Sequence, residues 1–242
     1  MNQTKRPYYW REWNLLRAFK ECGFEPIAIF DVGSSHCGWS FDISPLFPEA
    51  AFHLFEPLLD YKPDYQKWSA GVLARRPNLQ VHKIAIGEID GRTQIGSDKT
   101  GYGASTLVTK PSKNHPEMFD VPIRRLDSYV AEFGLPNPDV LKVDVQGGEI
   151  AVLKGAGSLL KDVRLIQIET WLLRSYGGET PLLHEIMDFL GRVSFQLVEF
   201  GDLYYDELHQ IYALDAFFAH SELLDQYRGR LPQKPLIDDR DL

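Results

Sequence analysis

Cysteine is nearly absent: Cys22 and Cys37 are the only two in 242 residues. Two thiols cannot build a disulfide framework or a cysteine zinc site, so both are expected to be reduced. Long apolar runs are missing as well. No stretch approaches the ~18 apolar residues of a membrane span, and the opening MNQTKRPYYWREW lacks the apolar centre of a signal peptide. A cytoplasmic protein without membrane contact is expected. Basic clusters are equally scarce. Thirty-four acidic residues against 26 basic ones leave a formal charge of -8, and no lysine and arginine run is long enough to follow a phosphate backbone. Nucleic acid is therefore not an expected partner, and a small molecule is. No H-x-x-x-H or C-x-x-C spacing occurs. The metal ligands stay unassigned, and any divalent ion would be oxygen-bound Mg²⁺.

What is present is the pattern of an α/β fold. Forty-four per cent of the residues are apolar, enough for a sizeable core in one domain over residues 1–242. In YWREWNLLRAFKEC (9–22), Trp10, Trp13, Leu16 and Phe19 fall at helical spacing with Leu15 beside them, and Gly23 is the stop; a leading helix is expected within 1–25. Five runs read as strands: 27–32, 51–56, 79–86, 139–145 and 163–169. Helical stretches within 58–76, 149–160 and 181–192 separate most of them, which argues a mostly parallel, doubly wound sheet. VSFQLVEF (193–200) and IYALDAFFAH (211–220) are joined by a segment too short for a helical crossover, so an antiparallel C-terminal hairpin is expected. Residues 91–125 are rich in Gly, Thr, Ser and Lys and are long for a connection; they form either a flexible lid or a small pair of strands. The non-periodic tail at 232–242 is expected to fray. An oligomer is compatible with all of this.

The functional signal starts at IAIFDVGS (27–34), an apolar run ending in an acid and a glycine turn. Phe55-Glu56-Pro57 follows about one βαβ unit later. Ligands of parallel sheets bind at the carboxyl ends of the strands, where Asp31 and Glu56 both fall, so a nucleoside site is expected there. The alternative for Glu56 is a solvated strand-end acid. The turn reads Gly33-Ser34-Ser35-His36-Cys37-Gly38, with Ser35 where a dinucleotide fingerprint has its middle glycine. Close pyrophosphate approach is thereby disfavoured. Together with the lack of a Tyr-x-x-x-Lys pair, this weighs against a nicotinamide oxidoreductase.

DVGSSHCGWS, FEP, IAIGEIDG, VPIRRLDSYV, DVLKVDVQGGEIAVLKGA and IQIET occur in the order and near the spacing of the FkbM family of S-adenosylmethionine-dependent methyltransferases, which the chain resembles over residues 27–218. The resemblance implies a Rossmann-like class I fold with a seven-stranded, mostly parallel sheet and helices on both faces. It implies that Asp31 and Gly33 hold the amino acid part of S-adenosylmethionine, that Glu56 binds the ribose hydroxyls, and that adenine rests near Ala85 and Ile86. Ser35, Pro57 and Asp144 complete the expected donor-binding set. Two departures stand out: Cys37 occupies a usual glycine position, and Gln146 replaces the acid of the family's D-x-E-G segment.

Methyl transfer to a hydroxyl needs alignment, exclusion of water and a proton acceptor. Asp144, after VLKV, is the first candidate; its alternative is to cap the helix beginning near Gly148. His36 titrates in the range of a general base, though a loop histidine also serves as a backbone-bonded structural residue. Glu169 closes the fifth strand and meets either substrate or the next loop. Asp144, Glu149 and Glu169 together raise an oxygen-ligand metal site, while Glu149 alone suits the first turn of its helix. Trp39, Tyr102, Trp171, Tyr176, Tyr204 and Tyr205 are candidates for stacking on an acceptor. The expected function is O-methylation of a hydroxyl on a sugar or related natural product. The reading from a different class is a catalytically silent module that binds S-adenosylmethionine and a partner.

Overall fold

The computed structural model describes residues 10–228; the first residue of the expected leading helix and the expected tail lie outside them. In chain order the elements are α1 (Trp10–Glu21), β1 (Ala28–Val32), α2 (Gly38–Ile43), β2 (Ala51–Phe55), α3 (Pro63–Leu73), β3 (Leu79–His82), β4 (Ala85–Ile86), β5 (Gly91–Ser97) and β6 (Glu117–Arg124). Then come α4 (Leu126–Phe133), β7 (Val140–Val143), α5 (Glu149–Ala156), β8 (Leu165–Trp171), α6 (Leu183–Gly191), β9 (Phe195–Tyr205), β10 (Ile211–His220) and α7 (Ser221–Tyr227).

A seven-stranded sheet runs in the order β3-β2-β1-β7-β8-β10-β9. All neighbours are parallel except β10, which is antiparallel to both β8 and β9. Strand alternation divides the core between the two faces. From β1, Ala28, Phe30 and Val32 pack with α4, α5 and α6 residues such as Leu126, Leu153 and Ile186. Ile29 turns to the other face, where Leu16 and Phe19 of α1, Trp39 of α2 and Leu223 of α7 meet it. The central strands are thus buried on both sides, which is why they read as continuous apolar runs rather than alternating ones.

One expectation needs correction, the open choice at 91–125 falls to a pair of strands, and three short helices are new. The single strand at 79–86 is two short ones: β3 is the sheet's edge, and beyond His82 the chain leaves it to pair β4 with β6. An edge strand has no outer neighbour to hold it in register, so the departure breaks no ladder on that side. The 91–125 insertion forms β5 and β6, which join β4 in a second, three-stranded sheet. The buried Lys62 ties it down, donating to the Asp98 carbonyl (2.6 Å) and pairing with Glu117 (2.5 Å). Finally, α2, α4 and α7 go unforeseen; at six to eight residues each, they are too short to show a helical period.

Candidate functional site

The carboxyl ends of the parallel strands open on a cavity of about 690 Å³. Its floor begins where β1 ends. Gly33 and Ser34 donate their amides to the Phe55 carbonyl (3.0 and 3.2 Å), pulling the turn across β2. Gly33 has φ +80, and a Cβ there would stand 1.8 Å from the Asp144 carbonyl oxygen, so no other residue fits. Ser35 (φ 51) and Cys37 (φ 67) are also left-handed. Cys37 therefore carries a side chain in a conformation that favours glycine. Its side chain is buried, and burial pushes the thiol up to about 12, which leaves it unreactive.

Asp31 lies beneath this turn. It is fully buried, accepts from the Ser40 hydroxyl (2.7 Å), pairs with Lys142 (3.1 Å), and does not line the cavity. Glu56 does line it. One carboxylate oxygen accepts from the Ser35 amide and the other from the Leu58 amide, both at 2.8 Å. Each oxygen keeps a second lone pair for a ligand. Burial raises this carboxyl to about 7 despite those two bonds. Beside it, the Tyr65 hydroxyl, which no motif announced, also reaches the cavity; burial raises its pKa. Pro57, Ala85 and Ile86 border an apolar end of the cavity completed by Ile95, Ile123 and Ala151. The insertion and α5 contribute these last three, so only the fold brings them together.

At the opposite end β7 and β8 deliver a polar set. Asp144 is half-buried and does not cap α5, whose N-cap position is held by Gly148. Its carboxylate pairs with Lys142 (3.5 Å) and accepts from the Gln146 amide (3.0 Å). The same Gln146 nitrogen donates to Glu169, and the Gln146 carbonyl oxygen Oε1 accepts from the Tyr176 hydroxyl (2.8 Å). Gln146 thus bridges the two acids, using both amide protons. Burial first, then the nearby Asp144 and Asp215 carboxylates, raise Glu169 well above the usual range. Asp215, paired across the ladder from Glu169, is pushed up to about 7 by burial and accepts from the Tyr204 hydroxyl (3.2 Å).

The Asp144, Glu149 and Glu169 metal set is not assembled. Among the described residues no group of three His, Cys, Asp or Glu is placed to hold an ion. Gln146 supplies protons to both acids where a cation would otherwise be needed, and Glu149 turns to the Gly147 amide (2.9 Å) at the start of α5. His36 lines the cavity but stands edge-on between Trp68 and Tyr102, with ring centroids at 6.2 and 5.8 Å. Burial lowers its pKa, so it is neutral there. Of the six aromatic candidates, Tyr102 and Tyr204 reach the cavity; Trp39 is buried with its Nε1 on Gln167 (2.9 Å), and Trp171, Tyr176 and Tyr205 do not line it. Trp68, hidden in a helical stretch of the sequence, lines it unannounced.

Gln146→Glu is expected to lower the melting temperature at pH 8, since it replaces two donated hydrogen bonds with a third carboxylate, a loss of about 2–4 kcal/mol. The drop should shrink at pH 6, where protonating one of the three acids relieves their repulsion. An unchanged melting temperature at pH 8 would show that the amide is not what holds Asp144 and Glu169 together.

A glycine turn after β1 and a buried acid after β2, facing one cavity at the edge of a parallel sheet with an antiparallel hairpin, define a Rossmann-like methyltransferase fold. Residues 31–197 match the model of the methyltransferase FkbM domain, and the chain belongs to that family. The 2-O-methyltransferase NoeI of Sinorhizobium fredii (strain NBRC 101917 / NGR234) is 31% identical over 185 residues, covering 70% of this chain and 72% of that protein. The fold is shared with magnesium protoporphyrin IX methyltransferase from Synechocystis PCC 6803, solved with bound SAH, at a TM-score of 0.50 and 11% identity over 87% of this chain and 80% of that one. A methyltransferase FkbM from Methylobacillus flagellatus KT aligns at a TM-score of 0.49 and 15% identity, over 79% of this chain; the chain spans 43% of that protein's length.

Proposed function

We propose that this protein is an S-adenosylmethionine-dependent O-methyltransferase acting on a hydroxyl of a sugar or related natural product. The observation that carries the reading is Glu56: a buried carboxylate at the end of β2, already fixed by two backbone amides, with free lone pairs facing the cavity. A ribose diol supplies the two hydrogen bonds that such a group seeks. Family membership supports the reaction class, and the likeness to a relative named as a 2-O-methyltransferase supports a hydroxyl acceptor.

In this reading Gly33 and Ser35 form the turn beside the donor's amino acid part, with Asp31 acting from beneath through Lys142 and Ser40. Pro57, Ala85 and Ile86 border the adenine end. The bound donor supplies an electrophilic methyl group. Asp144 is the group that accepts the hydroxyl proton, oriented by Lys142 and Gln146. Glu169 hydrogen-bonds the acceptor oxygen and orients it. His36 shapes the wall.

The test is transfer from methyl-labelled S-adenosylmethionine to a panel of glycosides, with calorimetric titration of the donor alongside. Labelled methyl ether on a hydroxyl is the expected product. Donor binding with no transfer to any acceptor favours a silent binding module, and no donor binding sinks the reading altogether.

A further inference from the structure

The acceptor end of the cavity is built largely from parts outside the residues matched by the family model, which stop at 197. β9 pairs with β10 through Leu203↔Leu214 and Phe200↔Ala216, so two residues, Gly201 and Asp202, stand opposite the single Asp215. This is a β-bulge, a device that turns side chains out of a ladder's normal alternation and recurs beside active sites. Here Asp202 and Tyr204 join Asp215 and Glu169 on the cavity wall.

Gly201 brings a fifth group close. A Cβ at that position would lie 2.8 Å from the Asp215 Cβ and 3.2 Å from Glu12 Oε1, so the missing side chain lets α1 approach the bulge. Glu12 is 1% exposed, and neither of its carboxylate oxygens has a hydrogen-bond partner among the described residues. Glu12 stands behind the cavity wall rather than on it, and its carboxylate adds to the acidic character of this end by raising Asp215 further. At this end Lys142 is the cation on the wall, and its ammonium is shared between Asp31 (3.1 Å) and Asp144 (3.5 Å). Arg11 lies outside the wall and pairs with Asp202 at 3.8 Å. The surface therefore offers acceptors in excess and little to receive an anion.

We infer that the β9–β10 bulge makes a subsite for a polyol that presents hydroxyl or ammonium donors, and that it rejects sugars carrying a phosphate or carboxylate. The inference rests on the proposed methyl transfer and narrows its acceptor. An anionic group placed against Asp202 and Asp215 meets carboxylate acceptors where it needs donors, and their negative charge in a partly dry pocket repels it far more than it would in water.

The test is saturation-transfer NMR on the full chain loaded with S-adenosylhomocysteine, using methyl glucoside, glucosamine and glucuronate at millimolar concentration, with competition to rank affinities. Methyl glucoside and glucosamine are expected to bind about tenfold or more tightly than glucuronate. Asp202→Asn, at a half-exposed position that folding tolerates, and Asp215→Asn should each narrow that ratio to roughly threefold or less. Glucuronate binding as well as methyl glucoside overturns the inference. So does the absence of all three sugars from protein that binds S-adenosylhomocysteine, an outcome that leaves the donor reading standing. Failure to bind S-adenosylhomocysteine in the accompanying titration overturns the donor reading instead.

Discussion

Glu56→Gln is expected to weaken S-adenosylmethionine and S-adenosylhomocysteine binding by about 100-fold, because each hydrogen bond to a charged group contributes roughly 1.5–3 kcal/mol and the ribose would lose at least one. Glutamine is nearly isosteric, but its nitrogen donates where the carboxylate accepted, so either the Ser35 or the Leu58 amide would face another donor. The wild-type affinity also carries a pH signature. Without ligand Glu56 titrates at about 7. Ribose hydroxyls favour the ionised form and so lower that value in the complex; donor affinity should rise as pH passes upward through about 7 and fall on acidification. The stability effect has the opposite sign. A carboxyl raised from 4.5 to about 7 by folding binds more protons in the folded state, so its contribution is lost as pH rises through that window. Titration calorimetry between pH 6 and pH 8 would read the first effect, and Glu56→Gln should flatten it. Unchanged affinity in the variant would remove Glu56 from the donor site.

Gly33→Ala is expected to destabilise the protein by about 2–5 kcal/mol, combining left-handed strain of roughly 1–2 kcal/mol with overpacking of roughly 1–3 kcal/mol. The new methyl group would stand 1.8 Å from the Asp144 carbonyl oxygen, well inside contact distance. Rigid backbone lies on both sides: the turn is held to Phe55, and the Asp144 amide donates to the Val32 carbonyl (2.9 Å). Relief therefore requires β1 and β7 to separate at the edge where the cavity opens. For a chain of this size each kcal/mol shifts the melting temperature by roughly 2–4 °C, so a drop near 10 °C should accompany loss of donor binding. A variant with native melting temperature and native donor affinity would show that the turn is looser than this contact implies.

Local pattern carried much of the fold. Buried parallel strands such as AIFDV announce themselves because both faces are covered, so every residue is apolar except the next-to-last, Asp31, which has its own role. The leading helix stops where Gly23 takes φ +96, a position legible from residue type alone. The insertion was harder to read. Its strands, GRTQIGS and EMFDVPIR, pack on one face against the small sheet's own core of Ile95, Val121 and Ile123, too few apolar positions for a strong alternation. Nor does any local feature tell 79–86 where to leave the main sheet.

The site divides along the same line. Asp31, Gly33, Glu56 and Asp144 stand at strand ends, and from sequence alone these positions mark the edge of the sheet on which the cavity opens. Residue type also marked Gln146 as a departure. Tertiary structure alone decided that Asp31 faces away from the cavity beneath its own turn, because Ser40 and Lys142 reach it from α2 and β7. It alone turned Gln146 from a missing charge into the bridge between Asp144 and Glu169, and brought Glu12, Asp202 and Asp215 together across a bulge. Strand ends are set by local backbone preference and apolar pattern, so they are written along the chain. Which side chains then meet depends on the register of strands as distant in sequence as Ile29 and Val140, and that register is settled only when the two faces of the sheet are packed.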